Sequence, residues 1–253
     1  MEWTDDALVL SLRPHGESAA ILEALTNSHG RHLGLVRGGG ASKGRAMLQP
    51  GNRVRLTWRA RLPENLGVYT AELARARAGD MFEDRAALAG LNALAAVTGA
   101  VLPEREPHAA AYLSADALLD AIARHGLREW GPLYVRWEAG LLDELGYGLD
   151  LARCAATGAV DDLIYVSPRT GRAVSRAAGA PYAERMLALP PFLLGRQAGE
   201  ASAADLIAGL KLTAHFLEQS VLTPHGKSLP EARARLADLT ARMSESAYIP
   251  PSP

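Results

Sequence analysis

Arginine dominates the chemistry this chain can offer. From Arg31 to Arg61 there are eight basic residues, Arg31, Arg37, Lys43, Arg45, Arg53, Arg55, Arg59 and Arg61, and no Asp or Glu stands between Glu23 and Glu64. Guanidinium groups are permanently charged planar forks that match phosphate oxygens. Surfaces normally intersperse both signs. The acid-free stretch therefore points to a polyanion-binding surface, with an ordinary solvated face as the alternative. Within it, RGGGASKGR (Arg37–Arg45) reads as a glycine loop between strands, whose N–H groups and cations can come close to phosphates.

Motifs for covalent chemistry fail on context. GASKG (Gly40–Gly44) matches the G-x-S-x-G elbow of serine hydrolases, but that elbow needs a strand before it and a helix after it. Here both flanks read as β. The spacing of Gly39 and Gly44 suits a phosphate-binding P-loop, yet Arg45-Ala46 replaces the required Lys-Ser/Thr. The seven histidines form no H-E-x-x-H pair. His15, His29 and His225 each precede a glycine in an expected turn and read as structural. Cys154, the one cysteine, excludes an intramolecular disulfide and an all-cysteine zinc site. It reads as a small half-buried core residue. A binding protein is expected, not an enzyme.

The cations need a scaffold. In NRVRLTWRAR (Asn52–Arg61), Val54, Leu56 and Trp58 alternate with Arg53, Arg55, Thr57 and Arg59. That period of two predicts a strand with one face in a core and guanidiniums on the other. Trp58 falls on the apolar face and reads as core. Ala7–Arg13, Ser18–Thr26, His32–Gly38 and Val68–Ala76 are the other predicted strands, separated by turn residues. Five short strands in about 80 residues suit a small barrel or sandwich. Beyond them the pattern turns helical. Asp84–Val101 and Ala109–Arg124 are predicted helices, another runs from Pro132 to Leu145, one opens at Ser202 and one at Pro230. Asp150–Ala188 breaks that pattern and holds a hairpin-like YVSPRTG (Tyr165–Gly171). The tail IPPSP reads as disordered.

Composition bounds the rest. The chain has 253 residues and a formal charge of −1. Split near Gly79, the first part has 11 basic and 7 acidic residues and the second 16 and 21, so the excess positive charge is N-terminal. The acidic start MEWTDD is not the basic start of a secretory signal, and no apolar run is long enough to cross a bilayer. A cytoplasmic protein without a membrane partner is expected.

Several stretches in order resemble the RecO family of bacterial recombination mediators. They are Ala7–Gly39, QPGNRVRLTW (Gln49–Trp58), WEAGLLDELGYGLDLARC (Trp137–Cys154), YVSPRTGRAVS (Tyr165–Ser175) and HGKSLPEARARLADL (His225–Leu239). The resemblance implies an α+β chain. A five-stranded OB-fold β-barrel over residues 1–79 would precede a mostly helical domain over 80–253. A zinc-ribbon-like insertion at about 150–187 is implied too, degenerate here. It further implies a nucleoid-associated, non-enzymatic DNA repair and recombination factor. Such a factor binds single- and double-stranded DNA, anneals complementary strands and helps load RecA. Its partners would be RecR and the acidic C-terminal tail of single-strand-binding protein, with RecA indirect. Of two Cys-x-x-Cys pairs in zinc-bearing members, this sequence keeps only Cys154, with Thr157, Ser175 and Ala178 at the other positions. One thiolate cannot make a structural tetrahedral site, so no zinc and no other cofactor is expected.

The expected DNA contacts are Arg37, Lys43, Arg45, Arg53, Arg55, Arg59 and Arg61, with Arg31 weaker. Contact with six to eight phosphates would give a single-strand salt slope of roughly −4 to −6. The alternative role is an adaptor that docks acidic peptide tails without strong DNA binding of its own. It would use Lys211, Lys227, Arg233 and Arg235 beside Phe216 and leucines of the last helices.

Overall fold

Alternation gives the N-terminal strands one dry face and one wet face, and five of them close on themselves. In the computed structural model, which describes residues 1–195 and 201–246, the chain begins with β1 (Glu2–His15), β2 (Ala19–Thr26) and β3 (Gly30–Val36). After α1 (Ser42–Met47) come β4 (Arg53–Arg59) and β5 (Val68–Arg75). The strands form a closed barrel in the order β1-β2-β3-β5-β4, the OB-fold arrangement. Only β3 and β5 pair in parallel, over Leu35–Val68 and Val36–Tyr69. A bulge between Val9 and Ser11 bends β1, so that Glu2–Leu8 pairs with β4 and Ala7–His15 with β2. Inside are Val9, Leu22, Val54, Leu56, Trp58 and Tyr69, with Leu48 packed among them just after α1.

Two local expectations are corrected. β1 starts at Glu2 and not at Ala7, because the polar run Glu2–Asp6 finds a backbone partner in β4. The stretch Arg37–Arg45 is only partly loop, since Ser42 opens the six-residue α1.

Two compact units divide the chain, residues 1–125 and the part from Gly126 onward. The first also holds α2 (Ala78–Met81), α3 (Arg85–Val101) and α4 (Ala109–Arg124). Arg77, 1% exposed, donates from Nε to Asp120 Oδ1 at 2.6 Å and also pairs with Asp116, which ties the end of the barrel to α4.

The second unit contains α5 (Leu127–Glu144), β6 (Leu163–Val166), β7 (Ala173–Ser175), α6 (Arg176–Gly179), β8 (Leu187–Ala188), α7 (Ala203–Phe216) and α8 (Glu231–Ser246). α5 begins five residues before the expected Pro132. Its interior Gly131 lies where a Cβ would come 2.7 Å from a Leu206 methyl, so the glycine permits close packing against α7. Ser202 and Asp205 form both halves of a capping box on α7. β7, β6 and β8 make a three-stranded antiparallel sheet. Nothing in it supports the expected zinc-ribbon likeness. Cys154 Sγ accepts from Ser175 N–H at 3.3 Å and sits 3.5 Å from Ser175 Oγ, a donor set that does not fit a tetrahedral zinc. Among the described residues, no three His, Cys, Asp or Glu side chains group closely enough to hold a metal. The tail Ile249–Pro253 lies outside the described residues, and no described helix is long and apolar enough to cross a membrane.

Candidate nucleic-acid interface

Along β4 the alternation holds: Val54, Leu56 and Trp58 are buried, Arg55 and Arg59 are exposed, and Arg53 is half-buried. The stripe is nevertheless not unopposed. Antiparallel pairing sets Asp6 of β1 opposite Arg55 and Glu2 opposite Arg59. Arg55 Nη1 lies 3.4 Å from Asp6 Oδ1, and Arg59 Nη2 donates to Glu2 Oε1 at 2.9 Å. That hydrogen bond from Arg59 holds the Glu2 carboxyl below its ordinary range. Arg53 Nη1 donates to Asp116 Oδ2 of α4 at 3.0 Å. Glu72 of β5 stands across from Arg55 on the other flank. The β4 arginines of the acid-free stretch are thus charge-balanced in space, because their acids arrive from β1, β5 and α4. Arg31 is also engaged, with Glu23 at 2.7 Å and the Leu102 carbonyl at 2.9 Å.

Four of the expected cations stay unengaged. Arg37 follows β3, Lys43 and Arg45 lie on α1, and Arg61 lies in the loop between β4 and β5. All four are exposed, and none of their side chains has a hydrogen bond or ion pair among the described residues. Arg37 rims a groove of about 540 Å³ that is also lined by Gly38, Gly39, Gly44, Arg59 and Thr70. Glycine gives this loop its shape. A Cβ on Gly44 would sit 2.5 Å from the Gly38 carbonyl oxygen, so the loop folds back on itself only without side chains. The Gly40 N–H donates to Ser18 O at 3.0 Å and anchors the loop to the β1–β2 turn.

The barrel's aromatic residues are covered or stacked on one another. Trp58 is 2% exposed, and its Nε1–H donates to Leu66 O at 3.0 Å. Tyr69 is 2% exposed, with its hydroxyl 2.8 Å from His32 Nδ1. Burial, helped by the nearby Arg105 charge, pulls His32 down to a pKa of about 4. Trp3 stacks on His29 at 4.1 Å and on Trp58 at 5.7 Å. His29 Nδ1 lies 2.9 Å from Asp5 Oδ2, so this histidine is built into the turn before β3. Ser42 of the elbow-like motif has a strand before it and a helix after it, but no described residue bonds its hydroxyl.

Of the residues expected to dock a peptide, three are exposed and one is buried. Arg233 is 0% exposed and is corrected to a structural residue. Its Nε donates to Glu138 Oε1 at 2.5 Å and its Nη2 to Leu210 O at 2.8 Å, joining α8 to α5 and α7. Arg235 is exposed and pairs with Glu231 one turn away at 2.7 Å. Lys211 and Lys227 are exposed, and Phe216 is buried. A different feature of this unit combines apolar lining with charge. It is a groove of about 320 Å³ between Leu149, Leu151, Phe192 and Leu193, with Arg136 and Asp143 at its edge. The exposed Arg136 donates from Nε and Nη2 to Phe192 O, and among the described residues its Nη1 has no partner. Its position next to WEAGLLDELGYG was a signal the sequence reading passed over.

Comparison with known proteins gives consistent matches. A family model described as "Recombination protein O N terminal" matches residues 1–77, and "Recombination protein O C terminal" matches residues 82–230. A relative from Rhodospirillum centenum, called DNA repair protein RecO, is 51% identical over 255 residues, covering 100% of both chains. Relatives of the same name from Cereibacter sphaeroides and Phenylobacterium zucineum are 53% and 52% identical, over 96% and 97% of this chain and 99% of their own.

Proposed function

This chain belongs to the RecO family, and on that premise we propose that it is a non-catalytic DNA-binding recombination mediator in DNA repair. In this reading the barrel module, residues 1–79, binds single- and double-stranded DNA and anneals complementary strands. Together with RecR, the protein helps load RecA onto strands coated by single-strand-binding protein. The observation that supports the DNA contact is the set of unengaged cations after β3, Arg37 on the glycine loop at the barrel groove and Lys43 and Arg45 on α1, with Arg61 on the loop between β4 and β5. OB barrels bind strands through cationic grooves, and charges already held in ion pairs contribute less to counterion release. Arg53, Arg55 and Arg59 are therefore secondary contacts. The test is annealing of complementary oligonucleotides. Changing Arg37, Lys43 and Arg45 together to alanine should abolish most of it, and an unchanged rate would remove the loop from the site.

The adaptor reading survives beside it because of the groove at Arg136. An acidic peptide with an apolar end needs a cation next to an apolar slot, which Arg136 and Leu193 supply. We place the docking of the single-strand-binding protein tail there, not at Arg233. Titration with the tail peptide should weaken about tenfold or more in Arg136→Ala and stay level in Arg235→Ala; the opposite ranking would move the site to the last helix.

A further inference from the structure

We infer that the barrel grips the sugar–phosphate backbone of a strand and leaves its bases unstacked against protein, free to pair. This rests on the DNA-binding reading above and specifies which part of the nucleic acid is recognised.

The usual alternative is a stacking platform, in which successive bases lie on exposed aromatic rings. Residues 1–77 contain three aromatic residues, Trp3, Trp58 and Tyr69. The structure occupies all three. A Cβ on Gly34 would come 2.3 Å from Tyr69 Cδ2, so the ring of Tyr69 lies directly on that strand's backbone. A Cβ on Gly67 would come 2.2 Å from Trp58 Nε1, so the indole is covered in the same way. Trp3 is stacked with His29 and Trp58, and His32 meets it edge-on at 5.2 Å. The polar handles of the two buried rings are spent on Leu66 O and His32. These groups form an aromatic box whose rings pack on one another.

The groove with its cations borders this box but meets its rings only where they are covered. His29 precedes β3 and Arg37 follows it. Val36, just before Arg37, pairs with Tyr69, and Arg59 of the groove follows the buried Trp58. The groove at Arg37 is lined by glycine backbone, aliphatic side chains and guanidinium, and Tyr69, its one aromatic lining residue, is 2% exposed. Glycine N–H groups and guanidinium forks suit phosphate oxygens and offer a base no ring to stack on. A strand held this way keeps its pairing edges outward, which is what joining two strands requires.

The experiment compares the full-length protein's affinity for a fluorescein-labelled oligothymidylate and for an abasic oligomer of equal length. Stacking of a single base on a ring would appear as a roughly five- to 150-fold difference. Affinities within about twofold, with parallel salt slopes and thymines still open to permanganate in the complex, are expected. An abasic oligomer bound ten or more times weaker, or thymines protected from permanganate, overturns the inference and leaves the DNA-binding reading intact. Binding of neither oligomer overturns both. Should stacking be found, His29→Ala tests whether the Trp3 end is the platform.

Discussion

Removing the three unengaged cations of the glycine loop and α1 should change how binding depends on salt more distinctively than any other substitution. Each phosphate neutralised on a single strand contributes a slope of about −0.7 in log K against log salt. With four unengaged cations, Arg37, Lys43, Arg45 and Arg61, the expected slope is about −2.8, shallower than the −4 to −6 that six to eight contacts would give. Between 50 and 200 mM salt the protein should then lose roughly 50-fold in affinity. Arg37→Ala/Lys43→Ala/Arg45→Ala leaves Arg61, a slope of about −0.7 and a loss of only roughly threefold over that range. The matched control is Arg53→Ala/Arg55→Ala/Arg59→Ala, whose side chains are paired with Asp116, Asp6 and Glu2. Its slope should stay near that of the unaltered protein. Fluorescence anisotropy at four or five salt concentrations measures both. A flat slope in the β4 variant with an unchanged one in the loop variant would refute the reasoning, because the pairs with β1 would then have to open on binding.

Stability offers further checks. Arg233→Ala would leave Glu138, 0% exposed, without its counter-charge, at about 3–5 kcal/mol in urea unfolding; a cost under about 1 kcal/mol would mean that water or another cation replaces the arginine. Gly34→Ala drives a methyl into the Tyr69 ring and should cost about 1–3 kcal/mol, read as a lower Tm, unless the ring can swing aside. His32 has a folded-state pKa of about 4 against roughly 6.5 unfolded, so the unfolded chain takes up the proton first and stability falls as pH drops through that window. The loss should approach about 2–3 kcal/mol by pH 4 and shrink in His32→Gln; an equal pH dependence in that variant would assign it to other groups. Arg105 donates from Nη1 to Pro63 O at 2.6 Å and from Nη2 to Asn65 O at 3.0 Å, so Arg105→Ala should speed amide exchange across residues 60–67, and unchanged exchange would show the loop to be held without it.

Much of the barrel was legible because period two is a local signal. Asn52–Arg61 announced which residues of β4 face inward, and the structure buries those residues. What the sequence hid was pairing across long separations. Glu2 and Asp6 look like a polar leader, yet they lie opposite Arg59 and Arg55, more than 45 positions away, and cancel charges that seem unopposed when read along the chain. α8 misled for a different reason. Arg233, Leu236 and Thr240 form its buried stripe at i, i+3 and i+7, which puts an arginine and a threonine where an apolar pattern is sought, and arginine is rarely buried. Only Glu138 on α5, 95 residues away, makes that burial tolerable.

The balanced face of β4 bears on the proposed role. A mediator that anneals strands has to release what it binds, and affinity through counterion release grows steeply with every unengaged cation. Were Arg53, Arg55 and Arg59 also unengaged, seven contacts would replace four, and the loss between 50 and 200 mM salt would rise from roughly 50-fold to roughly 900-fold. Binding of that strength would hold a strand at low salt and resist exchange. Carboxylates supplied by β1 and α4 keep those three guanidiniums engaged. The loop cations meanwhile stay on the rim, where a strand can arrive and leave. In the proposed role, weak backbone contact and closed aromatic packing then serve a single requirement, that the bases remain available to a complementary strand.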